Sequence, residues 1–285
     1  MIEPTLEQET RILLAWMSEP QARAALSAAA PHGVLAAEQE AFAASARNRL
    51  QARPAGVDQG DLILPLPGGM HDYSARLKED PGAGQCFGEG FTPALVDLSR
   101  VCVFQPSVHI GNVSERAKSV RIDDVRSLAE FTLPLDAPPE ITLQFDHDRL
   151  TFTTDPANQN LHVVGAFSYS SGDGPPGTVN VGFQLRVITS YVQVASVQGR
   201  YFLRDGYHRC LGLIQRGVRY APALVRDDLP LADLVPPGML DFPMFMGDRP
   251  PVLPDYWDSS VSCSVQVPVS RNVVVIRASE LSVAG

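Results

Sequence analysis

The spacing of hydrophobic and polar positions changes character along the chain. In the first fifty residues Leu6, Ile12, Leu13, Trp16 and Met17 recur near a 3.6-residue period. Positions 21–30 and 34–50 continue in alanine-rich, helix-forming sequence, with Pro31-His32-Gly33 ending one helix before the next. Residues 1–52 therefore read as a helical N-terminal region. Residues 53–91 keep no period and contain Pro54, Pro65, Pro67, Gly68, Gly69, Pro81, Gly82 and Gly84, the pattern of a Pro/Gly-rich irregular connector with a boundary near residue 90.

Beyond that point alternation replaces the helical period. Candidate strands cover 100–104, 141–145, 150–154, 161–168, 178–185, 190–197 and 200–204, with turns at Asp146-His147-Asp148 and Gln198-Gly199. A short helix is expected over 123–131, and S-S-G-D-G-P-P-G at 170–177 reads as a loop. The Pro-rich stretch 230–254 leads to 261–267 and 272–276, which alternate as a hairpin around Ser270-Arg271. The expected class is α+β, divided as 1–52, 53–91, 92–228 and 229–285.

Composition narrows the chemistry. With 285 residues, 45% hydrophobic and 19% charged, the chain has the make-up of a globular protein whose core needs no metal or disulfide staple. Lys plus Arg total 23 against 32 for Asp plus Glu, and a net charge of -9 makes nucleic acid an unlikely partner. Cys86, Cys102, Cys210 and Cys263 form no C-x-x-C pair, and the six histidines make neither H-x-x-x-H nor H-E-x-x-H, so zinc motifs are not written here and no metal site is expected. Neither G-x-S-x-G nor G-x-x-x-x-G-K-[ST] occurs. The apolar run 12–17 is shorter than a signal-peptide core or a membrane span, and a cytoplasmic protein with reduced thiols and no membrane partner is expected.

The most informative stretch is R-Y-F-L-R-D-G-Y-H-R-C-L-G-L-I-Q-R-G-V-R-Y-A-P-A-L-V, residues 200–225. A strand ends at Asp205-Gly206 and a helix begins at once, its buried face carried by Tyr207, Cys210, Leu211 and Ile214. Gly217 falls where a C-terminal cap glycine belongs, and Pro222 points to an edge strand or the end of pairing. The first amides of such a helix lack intrahelical partners, and the dipole favours an anion there. Gly206 admits a phosphate closely, while Tyr207, His208 and Arg209 line the first turn. The alternative is equally open on the residues alone: Asp205 caps the helix, Arg209 pairs locally, and nothing binds. Arg200, Arg204, Arg216 and Arg219 add basic charge within the same twenty residues.

This segment resembles the signature of the ParB/sulfiredoxin superfamily, in which a strand passes through a D-G-x-H-R or G-x-x-R turn into a helix and a further strand. Residues 96–108 resemble the family's opening strand and its N-P-F-Q-P-like continuation, and 123–135 the helix and strand that follow. The resemblance implies a mixed sheet with inserted β-hairpins, an N-terminal helical arm and a C-terminal hairpin. It also implies nucleotide phosphate binding at Gly206, Tyr207, His208 and Arg209, with ATP or CTP and Mg2+ as cofactor and phosphotransferase or nucleotide-hydrolase chemistry. Sulfiredoxins carry a cysteine before the His-Arg pair where Tyr207 stands, which argues against sulfinic-acid reduction. The segregation clamps match only at Gly206 and Arg209, so the kinase-like members are nearer. By the same resemblance His109, Glu115 and Asp205 are candidates for a general base.

The competing class is a non-enzymatic oligomeric scaffold that retains the fold. Its contacts would be the N-terminal helices or the M-L-D-F-P-M-F-M run that starts at Met239 and ends at Met246, where Met and Phe together form an adaptable surface.

Overall fold

The computed structural model describes residues 7–29, 37–111, 113–135, 144–148, 151–154, 161–169, 178–234, 236, 238–268 and 274–277. The chain forms two compact units, Met1–Leu135 with Ser190–Val269, and Asp136–Thr189 with Ser270–Gly285. The first unit opens with β1 (Glu7–Ile12), a 3-10 turn (Leu14–Trp16), α1 (Glu19–Ala29), α2 (Ala37–Ala52), β2 (Ile63–Leu64), α3 (His71–Glu79) and α4 (Pro81–Gly88). It continues with β3 (Thr92–Asp97), β4 (Ser107–His109), α5 (Val113–Ala117) and α6 (Val125–Thr132). The second unit contributes β5 (Gln144–Asp146), β6 (Thr151–Thr154), β7 (Leu161–Tyr169) and β8 (Asn180–Val187). The chain returns to the first unit with β9 (Gln193–Val197), β10 (Arg200–Asp205), α7 (Tyr207–Gln215), β11 (Tyr220–Arg226), α8 (Leu231–Leu234), α9 (Phe242–Phe245) and β12 (Cys263–Pro268), and β13 (Val274–Arg277) lies in the second unit. The class is α+β.

The first unit is built on a five-stranded sheet, β10-β9-β11-β3-β2, and a three-stranded sheet, β12-β1-β4. Central positions of the larger sheet are mostly apolar and buried: Val194, Ala195 and Val197 on β9, with Ser196 among them, and Ala221, Ala223, Leu224 and Val225 on β11. The β9–β10 hairpin turns at Gln198-Gly199, both at positive φ, as a two-residue turn requires. Asp124 accepts from the Arg126 amide at 2.9 Å and starts α6, which buries Leu128, Ala129 and Thr132.

Several expectations are corrected. The helices expected at 21–30 and 34–50 form over Glu19–Ala29 and Ala37–Ala52, but the described residues before them are not a helical arm. Residues 7–12 form a strand between β12 and β4, and Leu13, Leu14, Ala15, Trp16 and Met17 are buried in the main core. Trp16 Nε1 donates to the Arg249 carbonyl at 2.7 Å, and the Arg53 guanidinium, 5.5 Å from the Trp16 ring centroid, pairs with Asp255 at 2.7 Å and Asp258 at 2.6 Å. The connector is not irregular. It holds α3 and α4, because Pro81 occupies the first turn of α4, where its missing amide costs nothing, and the Asp80 carboxylate caps the Ala83 amide at 2.9 Å. Residues 101–104 are buried and extended but lie outside a ladder, the strand having formed earlier, at Thr92–Asp97.

Pro222 sits in a central strand rather than at an edge. The Leu224 amide donates to Val192 O on the β9 side, so the nitrogen of Pro222, two residues back, faces that side ahead of β9 and forfeits no ladder bond. The C-terminal hairpin does not form: β12 pairs with β1, while β13 pairs with β6. In the segment 239–246, Leu240 and Phe245 are buried and Met239, Met244 and Met246 pack against the core, leaving Phe242 exposed. The segment therefore covers its own core more than it offers a contact surface.

The inserted strands are present as β5–β6 and β7–β8 pairs in the second unit. Of the strand expected at 141–145, residues 141–143 lie outside the described residues, as do the loop 170–177 and the turn at Ser270-Arg271. Among the described residues no helix is long and apolar enough to cross a membrane.

Candidate functional site at the β10–α7 turn

The turn is shaped by one glycine. Gly206 has φ +93°, and a Cβ there would lie 2.7 Å from Val192 Cγ2 and 2.9 Å from Val192 Cα. Both the left-handed backbone and the neighbouring strand therefore require glycine. Its carbonyl accepts the Cys210 amide at 3.0 Å and begins α7.

Asp205 does not cap the helix. Its Oδ1 turns back to the Gly206 amide at 2.6 Å, and its Oδ2 accepts the Ser190 hydroxyl at 2.9 Å. No side chain caps α7, so the amides of Tyr207, His208 and Arg209 have no partner among the described residues. Arg209 Nη1 donates to the Ser190 carbonyl, so Ser190 is held from both sides of the turn.

Tyr207 is withdrawn from the site. It is buried, its hydroxyl accepts the Phe104 amide at 3.4 Å, and its ring meets Phe104 and Tyr256 edge-on, each at 6.3 Å between centroids. Burial pushes the phenol well above its ordinary range, which leaves it neutral and unreactive. His208 and Arg209 are half-buried and remain at the turn.

A second arginine comes from α5 and was not singled out by the sequence. A Cβ at Gly212 would lie 2.8 Å from Val113 O and 3.0 Å from Ala117 Cβ, so α5 lies directly against α7. Ser114, near the start of α5, bonds Gln215 at the end of α7. With α5 packed on α7, Arg116 lies close enough for its charge to lower the pKa of both His208 and Arg209. The glycine inside an otherwise helical pattern was the available signal.

His109, at the end of β4, completes the cluster. Its Nδ1 is 2.7 Å from Thr10 Oγ1, and burial lowers its pKa. The His208 pKa is lowered by burial first, then by Arg116 and His109, against the opposing effects of Asp205 and the His109 backbone. Glu115 is not brought to the turn. It is exposed and pairs with Lys118, just past the end of its own helix.

The remaining basic residues of the segment are used elsewhere. Arg200 donates to the carbonyls of Phe245 and Gly247, each at 3.1 Å; Arg204 pairs with Glu89 at 3.1 Å; Arg216 caps the carbonyls of Ala117 and Val120; and Arg219 pairs with Asp97 at 2.8 Å. What stays at the turn is His109, Arg116, His208 and Arg209 against one carboxylate, Asp205. Among the described residues no three metal-ligating side chains converge. The four cysteines are free thiols, and burial pushes Cys102 and Cys210 up to about 12. No protein-family model, no curated protein and no solved structure matches the chain.

Proposed function

We propose that the chain binds a phosphorylated small ligand, a nucleotide above all, at the β10–α7 turn, with the fold of its first unit related to the ParB/sulfiredoxin type. The observation that carries this reading is the imbalance of charge at an uncapped helix start. His208 and Arg209 are half-buried beside Arg116 and His109, and among the described residues neither Arg116 nor Arg209 forms an ion pair, while the two imidazoles, held neutral by burial, stand ready as further hydrogen-bonding groups. Cations beside the positive end of a helix dipole are unfavourable until an anion answers them.

In this reading the amides of His208 and Arg209 and the two side chains hold a phosphate, Gly206 gives it room, and Arg116 reaches a second phosphate. Asp205 orients Ser190 and the turn. Its oxygens are engaged with Ser190 and the Gly206 amide, so the site offers no protein cage for magnesium, and Mg2+ would travel on the phosphates of ATP or CTP. Phosphotransferase or nucleotide-hydrolase chemistry would need a base, and of the candidates His109 is the one with an imidazole beside the turn.

Titration calorimetry with ATP, CTP and GTP, each with Mg2+, tests the reading on the wild type, His208→Ala and Arg209→Ala. Binding by the wild type that weakens roughly tenfold or more in each variant is expected. Absence of binding by the folded wild type to every nucleotide and to inorganic phosphate would remove it.

A further inference from the structure

The β7–β8 ribbon exposes apolar side chains on one face and an unguarded strand at its edge. Its antiparallel register sets Val163 opposite Leu185, Ala166 opposite Phe183 and Ser168 opposite Val181, so these six share a face on which no residue is charged. Val163, Val181 and Phe183 are 49%, 74% and 48% exposed. Arg186, opposite His162, belongs to the other face.

The two edges differ. β7 carries a register shift between Val163 and Gly165, and such a bulge blunts pairing. β8 reads N-V-G-F-Q-L-R-V with no register shift, proline, lysine or acid, and among the described residues no third strand pairs with it. An edge whose one charge, Arg186, lies near its end and which has neither bulge nor proline is a template for another strand, and a two-stranded ribbon is marginal by itself.

We propose that β8 pairs antiparallel with β8 of a second copy of this chain, about a two-fold axis at Phe183, joining two ribbons into a four-stranded sheet. The register is self-consistent. Phe183 meets its own copy, Val181 meets Leu185, Gln184 meets Gly182 and Arg186 meets Asn180, so the apolar faces stay on one side and the two Arg186 side chains remain apart. The charge distribution favours a second copy here: a chain of net charge -9 repels itself, but neither β7 nor β8 contains an acid. The contact joins the chains where their repulsion is least.

Sedimentation velocity on the full chain across the micromolar range, with Phe183→Lys, Phe183→Cys and Arg186→Cys, tests the proposal. The wild type is expected to dimerise, and Phe183→Lys to weaken the dimer roughly tenfold or more with its thermal melting unchanged. Mild oxidation is expected to give a covalent dimer of Phe183→Cys, whose sulfurs meet on the axis, well above that of Arg186→Cys. A wild type that stays monomeric, a dimer indifferent to Phe183→Lys, or equal cross-linking at the two positions would overturn it.

Discussion

Ser190 donates its hydroxyl to Asp205 at 2.9 Å while its own carbonyl accepts the guanidinium of Arg209. One residue thus fastens both sides of the β10–α7 turn, one bond through its side chain and the other through its backbone. The two bonds are separable by mutation. Ser190→Ala is expected to cost about 1 kcal/mol in urea unfolding, the usual worth of one hydrogen bond, and to weaken nucleotide binding by less than roughly tenfold. Arg209→Ala removes a charge as well as a strut, and its binding loss is expected to exceed that of Ser190→Ala. Calorimetry that ranks the two in the reverse order would show Arg209 to be structural only.

The imidazoles predict how stability follows pH. His208 and His109 titrate lower in the folded protein than in the unfolded chain, whose histidines lie near 6.5. The unfolded state therefore binds more protons below that point. Their contribution is complete above pH 6.5 and is lost as the pH falls toward the depressed folded values. Urea midpoints should drop as the pH falls below 6.5, and the slope should flatten in His208→Gln.

Asp97 governs a second pH window. It has no exposed surface. It accepts from Ser99 Oγ at 2.5 Å, Arg100 Nε at 3.0 Å, and Arg219 Nε and Nη2 at 2.9 and 2.8 Å. Burial pushes the carboxyl pKa up, and the hydrogen bonds from Arg219, Ser99 and Arg100 outweigh it, leaving the group below the ordinary carboxylate range. The stability it provides is present above about pH 4 and is lost as the pH falls through the folded value. Asp97→Ala removes the shared acceptor of Ser99, Arg100 and Arg219, although Arg100 keeps Asp58 and the Gly60 carbonyl, and a loss of about 2–3 kcal/mol is expected by chemical denaturation. Arg219→Ala should cost less, since Arg100 and Ser99 remain.

Two glycines set the geometry of the site, and alanine at each should act differently. Gly206→Ala forces a positive φ and drives Cβ into the Val192 backbone, for an expected loss of about 2–3 kcal/mol in thermal unfolding. At Gly212 the obstacle is α5 itself. Gly212→Ala is expected to push that helix away and weaken nucleotide binding through displaced Arg116, even where the melting temperature falls only slightly. If binding survives Gly212→Ala unchanged, Arg116 does not belong to the site.

The parts of the fold that sequence reasoning recovered depend on neighbours in the chain. The β9–β10 hairpin, α7 and the strand after it were legible because Gln198-Gly199, Gly206 and Gly217 punctuate them, and α6 because Asp124 precedes an apolar period. The failures lie where distant partners decide. Glu7–Ile12 contains four charged or amide side chains and is a strand only because β12 and β4 flank it, with Glu7 opposite Pro268 and Thr10 opposite His109. α3 and α4 were hidden by Pro81 and three nearby glycines, residues that an N-terminal turn tolerates. At the site itself, Tyr207 was assigned both to the buried face and to the phosphate, and only the buried face holds. Arg116 was not legible, because its place depends on how closely α5 approaches Gly212.

The placement of β1 also sets a schedule for biosynthesis. Its principal partner, β12, is some 250 residues further along the chain, so the ribosome must deliver residue 268 before the three-stranded sheet can close. At about 5–20 residues per second, that interval is roughly 13–50 s. Throughout it the apolar stretch Leu13 to Met17, destined for the core, waits without its final cover. Among the parts of the first unit, β1 is thus made well before the strand that locks it in place.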